Sequence, residues 1–216
     1  QTRSLVDILK HHNDIGFNSV QMKIVRTNNS EIEINSTNIR NLKKLYRDLF
    51  DFFVENINNN DITYLRMILN DNDYFGKIIR RIILRTIVSN RCQAGKNKVS
   101  LTANGDLFPC DSFVGNAEFC IGNAVKKEFN SNKLYDIFCS DRELCSECWA
   151  RYICGGDCFH NSLLKNGNVC IPDPIFCDLE KYLIELAVML LCYLNNTNPD
   201  FYSKIKKQLI MELKMR

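Results

Sequence analysis

Apolar positions in the first 88 residues recur at helical spacing in three places. Leu5, Ile8 and Leu9 form a short stripe, with Ser4 placed to cap it, Asp7 at the third position and Gly16 to end it. Ile39, Leu42, Leu45, Tyr46, Leu49, Phe52 and Phe53 predict a helix over 36–57. Phe75, Ile78, Ile79, Ile82, Ile83 and Ile87, set against Lys77, Arg80, Arg81 and Arg85, predict another over 74–88. Between the first two, Val20, Met22 and Ile24 alternate with Gln21 and Lys23, the period of a strand over 19–26. The stretch 62–68 fits either period. Helix, strand, helix is a piece of an α/β fold built on a parallel sheet. The lone strand has no parallel partner nearby, so the chain is expected to be the C-terminal portion of a longer protein.

Beyond Cys92 the period falls to two. Val99, Leu101 and Ala103 alternate with Ser100 and Thr102, Asn104-Gly105 supplies a two-residue turn, and Asp106-Leu107-Phe108 returns. Pro109 cannot donate to a ladder, so pairing should stop where Cys110 is presented. A short helix is expected over 133–139. Leu179, Leu183, Leu186 and Leu190 mark a longer one over 178–194, and 195–199 break it before a last basic helix.

At 216 residues the chain can bury a proper core. Its net charge of +3 is too small to argue for nucleic acid or an anionic membrane, and no run of eighteen apolar residues exists. The N-terminal residues QTRSLVDILK carry no signal-peptide apolar region, so a cytoplasmic, reducing location is expected.

That compartment changes the meaning of the cysteines. Ten of the eleven fall between Cys92 and Cys177, and Cys145, Cys148, Cys154 and Cys158 lie in one run spaced C-x2-C-x5-C-x3-C. Thiols so close cannot all pair as disulfides without severe strain, because a bridge needs particular Cα separations and directions. In a reducing compartment such a segment points to metal binding or catalysis. A structural zinc module needs no chemistry, but seven or more thiolates exceed one zinc ion. Iron–sulfur clusters take four thiolates each, and in two-cluster ferredoxins a compact run lends its fourth cysteine to the second cluster. Zinc, iron–sulfur and disulfide readings all remain open on spacing alone.

The order Cys92, Gly105, Cys110, then Cys145, Cys148, Cys154, Cys158, then Cys177, with the words CQAGKNKVSLTANGDLFPCDSFVG, CWARYICGGDC and PDPIFC, resembles the seven-cysteine pattern of the SPASM domain. That domain closes many radical S-adenosylmethionine enzymes. The resemblance implies an α+β architecture: a C-terminal remnant of a partial TIM-type barrel with connecting helices over 1–89, then a small cysteine-rich SPASM domain with a β-hairpin and helices over 90–216. It implies two auxiliary [4Fe-4S] clusters, one on Cys145, Cys148, Cys154 and Cys177, the other on Cys92, Cys110 and Cys158. Some relatives add a fourth thiolate shortly before the position of Cys92. Here Ser89, Asn90 and Arg91 stand there, leaving that site open to a substrate thiolate or to Cys120. Cys139, Cys170 and Cys192 are expected to behave as small apolar residues.

The resemblance further implies a maturase that oxidises a ribosomally made precursor peptide, with the PCDSFVG words similar to thioether-forming members. Anaerobic sulfatase-type maturation is the alternative within the family, and a zinc-binding interaction module the alternative outside it. An electron donor such as ferredoxin or flavodoxin is the implied second partner. Asp111, directly after Cys110, matches the aspartate that serves sulfatase-maturing relatives as a proton acceptor. Beside a negatively charged cluster its pKa is expected to rise. The CxxxCxxC loop that holds the S-adenosylmethionine-cleaving cluster does not occur in this chain, so that cofactor and a third cluster are expected in a preceding part of the protein.

Overall fold

The computed structural model describes residues 4–130 and 132–215. These form two compact units, one reaching Ile87 and taking in the residues from Cys177 onward, the other running from Val88 to Phe176.

The first unit is helical among the described residues. Helix α1 (Leu5–Asp14) is capped by Ser4, whose hydroxyl accepts from the Asp7 N–H at 3.3 Å. Helix α2 (Ile39–Asn58) buries Tyr46, Leu49, Phe50, Phe53 and Ile57, the face its period predicted. The ambiguous 62–68 stretch is helix α3 (Thr63–Ile68). Helix α4 (Tyr74–Ile83) stops short of the predicted end at 88. Arg85 takes a left-handed φ of 53°, and Arg85 N and Thr86 N donate to Ile82 O and Arg81 O at 3.1 and 2.9 Å. That closes the helix as a glycine would, without the glycine. The long helix α7 (Pro174–Thr197) buries Leu179, Leu183, Leu186, Leu190 and Leu194, and α8 (Pro199–Lys214) buries Ile205 and Leu209. Each such side chain contributes about 1.5–3 kcal/mol on leaving water.

The strand expected over 19–26 does not form. The segment is bound by isolated backbone bonds instead: Val20 N donates to Met67 O at 2.9 Å, and Tyr74 N to Met22 O at 3.1 Å. Alternation survives as burial, with Val20 inward and Gln21 and Lys23 exposed. A strand needs a ladder partner as well as a period, and no described segment of this unit supplies one.

Asp73 caps α4 from a buried position. Its carboxylate accepts from Gly76 N at 2.7 Å and Met22 N at 2.8 Å, yet burial outweighs these bonds and pushes its pKa up to about 6. The same burial, with the Asp73 and Glu180 carboxylates nearby, pushes the Tyr46 phenol up. A carboxyl raised on folding makes the native state bind more protons than the unfolded chain between the two pKa values. Stability from this group is therefore present at acid pH and lost as pH rises from about 4 to about 6, by roughly 2–3 kcal/mol. Urea midpoints measured across that range should fall for the wild type and stay flatter for Asp73→Asn; parallel curves would contradict it.

The second unit holds a four-stranded antiparallel sheet in the order β1-β2-β3-β4, with β1 Ser100–Leu101, β2 Asp106–Phe108, β3 Gly122–Asn123 and β4 Glu128–Phe129. The hairpin is where the pattern placed it, in register Leu101 to Leu107. Its turn is longer than two residues. Thr102 N donates to Asp106 O and Gly105 N to Thr102 O, both at 3.0 Å, so Ala103, Asn104 and Gly105 form the loop. Only Gly105 takes a positive φ, 86°; Asn104 does not. This is the geometry of a turn followed by a left-handed residue. No helix forms over 133–139: turns lead instead to a 3-10 turn at Cys139–Asp141. Phe108, Phe113, Phe119, Leu134 and Phe159 make the core, with Phe113 and Phe119 rings 4.4 Å apart.

Candidate metal centre

The segment after Val88 and the compact cysteine run are held side by side by the backbone. Val88 N donates to Tyr152 O at 2.8 Å, Arg91 N to Gly155 O at 2.7 Å and Cys139 N to Ser89 O at 2.8 Å. Helix α5 (Arg151–Cys154) ends at Gly155, whose φ of 77° only glycine adopts freely. A Cβ there would lie 2.4 Å from the Val88 side chain and 2.7 Å from Arg91 N. So Gly155 is required twice over, by its dihedral and by the approach of the neighbouring chain.

Cys92 is presented by Asn90. The Asn90 amide donates to Ile137 O at 2.8 Å, and its oxygen accepts from Cys92 N at 3.1 Å. Gly95 N reaches Pro109 O at 2.8 Å, joining the Cys92 loop to the segment bearing Cys110. Cys158 stands at the start of α6 (Phe159–Asn166), its N–H donating to the Asp157 carboxylate at 2.7 Å.

Three thiols distant in sequence are thereby brought together electrostatically. The Cys158 thiol hydrogen-bonds to Cys92, pulling the Cys92 pKa down and pushing its own up, and the charge of Cys110 acts on Cys92 as well. These are the three residues of one expected ligand set. In the other set, Cys145 and Cys148 follow one another in a tight turn, Cys148 N to Cys145 O at 3.0 Å. Burial raises the Cys145 thiol, opposed by Arg142, and Cys148 and Cys139 act on it in turn. Cys154 ends α5, and its thiol is 3.7 Å from Gly156 O. Cys177 lies in the first turn of α7 and is half-buried.

No disulfide joins the eleven cysteines. Among the described residues no group of three or more Cys, His, Asp or Glu side chains is drawn close enough to share a metal ion. The donor chemistry nonetheless fits an iron–sulfur cluster. Thiols are the soft donors that such clusters take, Cys92 and Cys158 shift each other in opposite directions, and the Arg142 charge acts on Cys145. Cys120 packs against the same aromatic core as Cys92 and Cys110, with its thiol 3.4 Å from Gly122 O. Cys139 is 1% exposed, as expected of a small apolar residue, whereas Cys192 is exposed.

Asp111 opens a 3-10 turn (Asp111–Phe113) immediately after Cys110 and is exposed. Lys98 forms an ion pair with it and holds its carboxyl below the usual range. Lys98 sits at the far end of the loop that begins at Cys92, so the pair links the segments bearing Cys92 and Cys110. The sequence reading passed over two residues at the site. Lys98 sits within the KNK triplet, where nothing in the sequence marks a partner. Arg142 lies between Asp141 and Glu143, both exposed, and gave no sign of being buried.

No family model matches this chain, and no curated protein matches it. A solved structure does, described as native anSMEcpe with bound AdoMet and Cp18Cys peptide, with a TM-score of 0.54 and 21% identity over 89% of this chain. The chain spans 54% of that protein. The likeness shows a shared fold of helices and a small antiparallel sheet. No helix among the described residues is long and apolar enough to cross a membrane.

Proposed function

We propose that this chain is the auxiliary-cluster part of a radical S-adenosylmethionine SPASM maturase, one that oxidises a residue of a ribosomally made peptide. The observation that carries the reading is the electrostatic influence of Cys158 and Cys110 on Cys92, three thiols that stand on separate segments. The shared fold with anSMEcpe, a protein whose structure holds AdoMet and a peptide, supports the same class. Cys92, Cys110 and Cys158 would hold one [4Fe-4S] cluster, and Cys145, Cys148, Cys154 and Cys177 the other. S-adenosylmethionine and the cluster that cleaves it would bind outside this chain, and ferredoxin or flavodoxin would supply electrons.

A [4Fe-4S] cluster, when bound, supplies a one-electron acceptor and, where only three thiolates hold it, an iron open to a fourth. The lack of a cysteine at 86–91 favours thioether formation, because a peptide thiolate could take that place. Forming the C–S bond breaks one C–H and one S–H bond. The hydrogen atom leaves to the adenosyl radical, and one proton and one electron leave separately. Asp111, kept ionised by Lys98, would accept the proton. Sulfatase-type oxidation is favoured by a different observation, the fold shared with anSMEcpe. The two readings part in their products, a crosslinked peptide without a free thiol against an aldehyde that reacts with hydrazides.

The direct test is the metal. Anaerobically reconstituted protein should hold about eight iron and about eight sulfide, two four-iron clusters. Zinc without acid-labile sulfide, in protein made under strict anaerobiosis, would replace this reading with a zinc module.

A further inference from the structure

The first unit holds a cavity of about 550 Å³ between the end of α1, the loop before α3, α3 itself and α8. No cysteine lines it. Its size falls in the range of small-ligand sites, about 300–1,000 Å³. The floor is apolar, with Ile62, Met67, Ile205 and Leu209 lining it, each of them buried. Phe17 and Phe201 line it too, and Phe17 is left 55% exposed. Its polar side consists of four carboxamides, Asn13, Asn18, Asn60 and Gln208, with one guanidinium, Arg66, and one carboxylate, Asp61.

These polar groups are unevenly satisfied. Asp61 accepts from Thr63 N at 2.8 Å and so serves the first turn of α3. Asn60 accepts from the Asn198 amide at 3.0 Å. The side chains of Asn13 and Asn18 make no hydrogen bond with a described residue. Arg66 has one contact, Nη2 donating to Gln208 Oε1 at 3.4 Å, longer than an ordinary hydrogen bond. Lys204 adds a second cation beside the cavity, its Nζ 5.5 Å from the centre of the Phe201 ring. Two cations thus stand against one carboxylate that is already engaged, a balance that favours an anion. A guanidinium pairs with a carboxylate through two parallel hydrogen bonds. A carboxamide offers both a donor and an acceptor, as a peptide group does. A fatty acid would answer the guanidinium and the floor but leave the carboxamides unmatched, whereas a peptide answers all three. We propose that this cavity binds a peptide segment in which an acidic residue stands beside an apolar one. The site needs no cluster, and it rests on the maturase reading only for the source of that segment, the precursor peptide.

Fluorescence anisotropy of the reconstituted full chain tests this, with a fluorescein-labelled peptide of alternating Glu-Leu and Gly units as the probe. The wild type should bind it saturably, and should bind the same peptide with Lys in place of Glu at least about tenfold more weakly. Arg66→Gln should weaken the Glu peptide by about tenfold, the loss of one charge-assisted contact. Thr63→Trp brings a ring into the cavity from an exposed position and should abolish binding. Unlabelled decanoate should not displace the peptide. No saturable binding, equal affinity for the two peptides, or wild-type affinity in both variants overturns the proposal. Displacement by decanoate also overturns it, and makes the cavity a fatty-acid site. Should either variant fail to fold, Asn18→Ala decides, at an exposed position outside the helices. It should weaken binding severalfold, and wild-type affinity there overturns the proposal. Iron and sulfide assays on the same samples keep the two readings apart. Clusters present without peptide binding strikes this site alone, and peptide binding without iron strikes the cluster reading alone.

Discussion

Replacing Cys154 with alanine is expected to strip the reconstituted protein of about half its iron, close to four of about eight atoms, and to lower its unfolding temperature. Cys139→Ala and Cys192→Ala should keep the iron. The contrast follows from position. Cys154 closes α5 at the turn made by Gly155 and Gly156, inside the run that the 88–91 segment braces. Ligand binding in such small modules is folding free energy, so losing one ligand weakens both. Cys139 is more deeply buried than Cys154, and its removal leaves a small cavity, costing about 1 kcal/mol by comparison with other large-to-small core changes. Iron and sulfide assays on the three variants check this directly. If Cys139→Ala also lost iron, Cys139 would have to join the ligands, which its electrostatic contact with Cys145 makes the sharpest available challenge.

In the proposed maturase, Asp111→Asn should lower peptide turnover by roughly 10²–10⁴-fold, the range over which a positioned proton acceptor acts. Iron content and S-adenosylmethionine cleavage should be unchanged. The ion pair with Lys98 gives the pH dependence its sign. A carboxyl held below the usual range stays ionised to lower pH than a free one, so Asp111 should not limit turnover anywhere near neutrality. Lys98→Ala should let the acid limb of the pH–rate profile move upward. Peptide turnover by Asp111→Asn equal to wild type, with clusters intact, would reduce Asp111 to a turn residue. The exposed pair itself adds little to stability, since solvent screens both charges.

Periodicity carried the helices because an amphipathic stripe reports burial directly: the face of α2 predicted from Tyr46, Leu49 and Phe53 is the face that is buried. It failed where a second partner was needed. Val20, Met22 and Ile24 alternate as a strand would, but alternation cannot create a neighbour to pair with. The end of α4 was missed because Arg85 does the work of a glycine, a left-handed conformation that nothing in the residue type announces. The hairpin was legible from Asn104-Gly105, whereas its loop length depended on the Thr102 bonds. At the site, the spacing of the cysteines drew attention to the run from Cys145 to Cys158, but spacing alone gave no sign that Cys92 and Cys158 act on each other. The electrostatics were not legible. Lys98 lowers the Asp111 carboxyl by reaching across from another segment. Arg142 looked like surface because its neighbours are surface.

The compact run from Cys145 to Cys158 looks, as a string of letters, like a cassette that could be cut out and carried elsewhere. The backbone bonds from Val88, Ser89 and Arg91 say otherwise. Tyr152, Cys139 and Gly155 find their partners on a segment far upstream, and Gly155 is shaped by that segment's closeness. Half of the module is thus written before the hairpin and half after it. A graft of 139–158 alone would carry the thiols without the rail that aligns them, whereas one beginning at Val88 would transplant both.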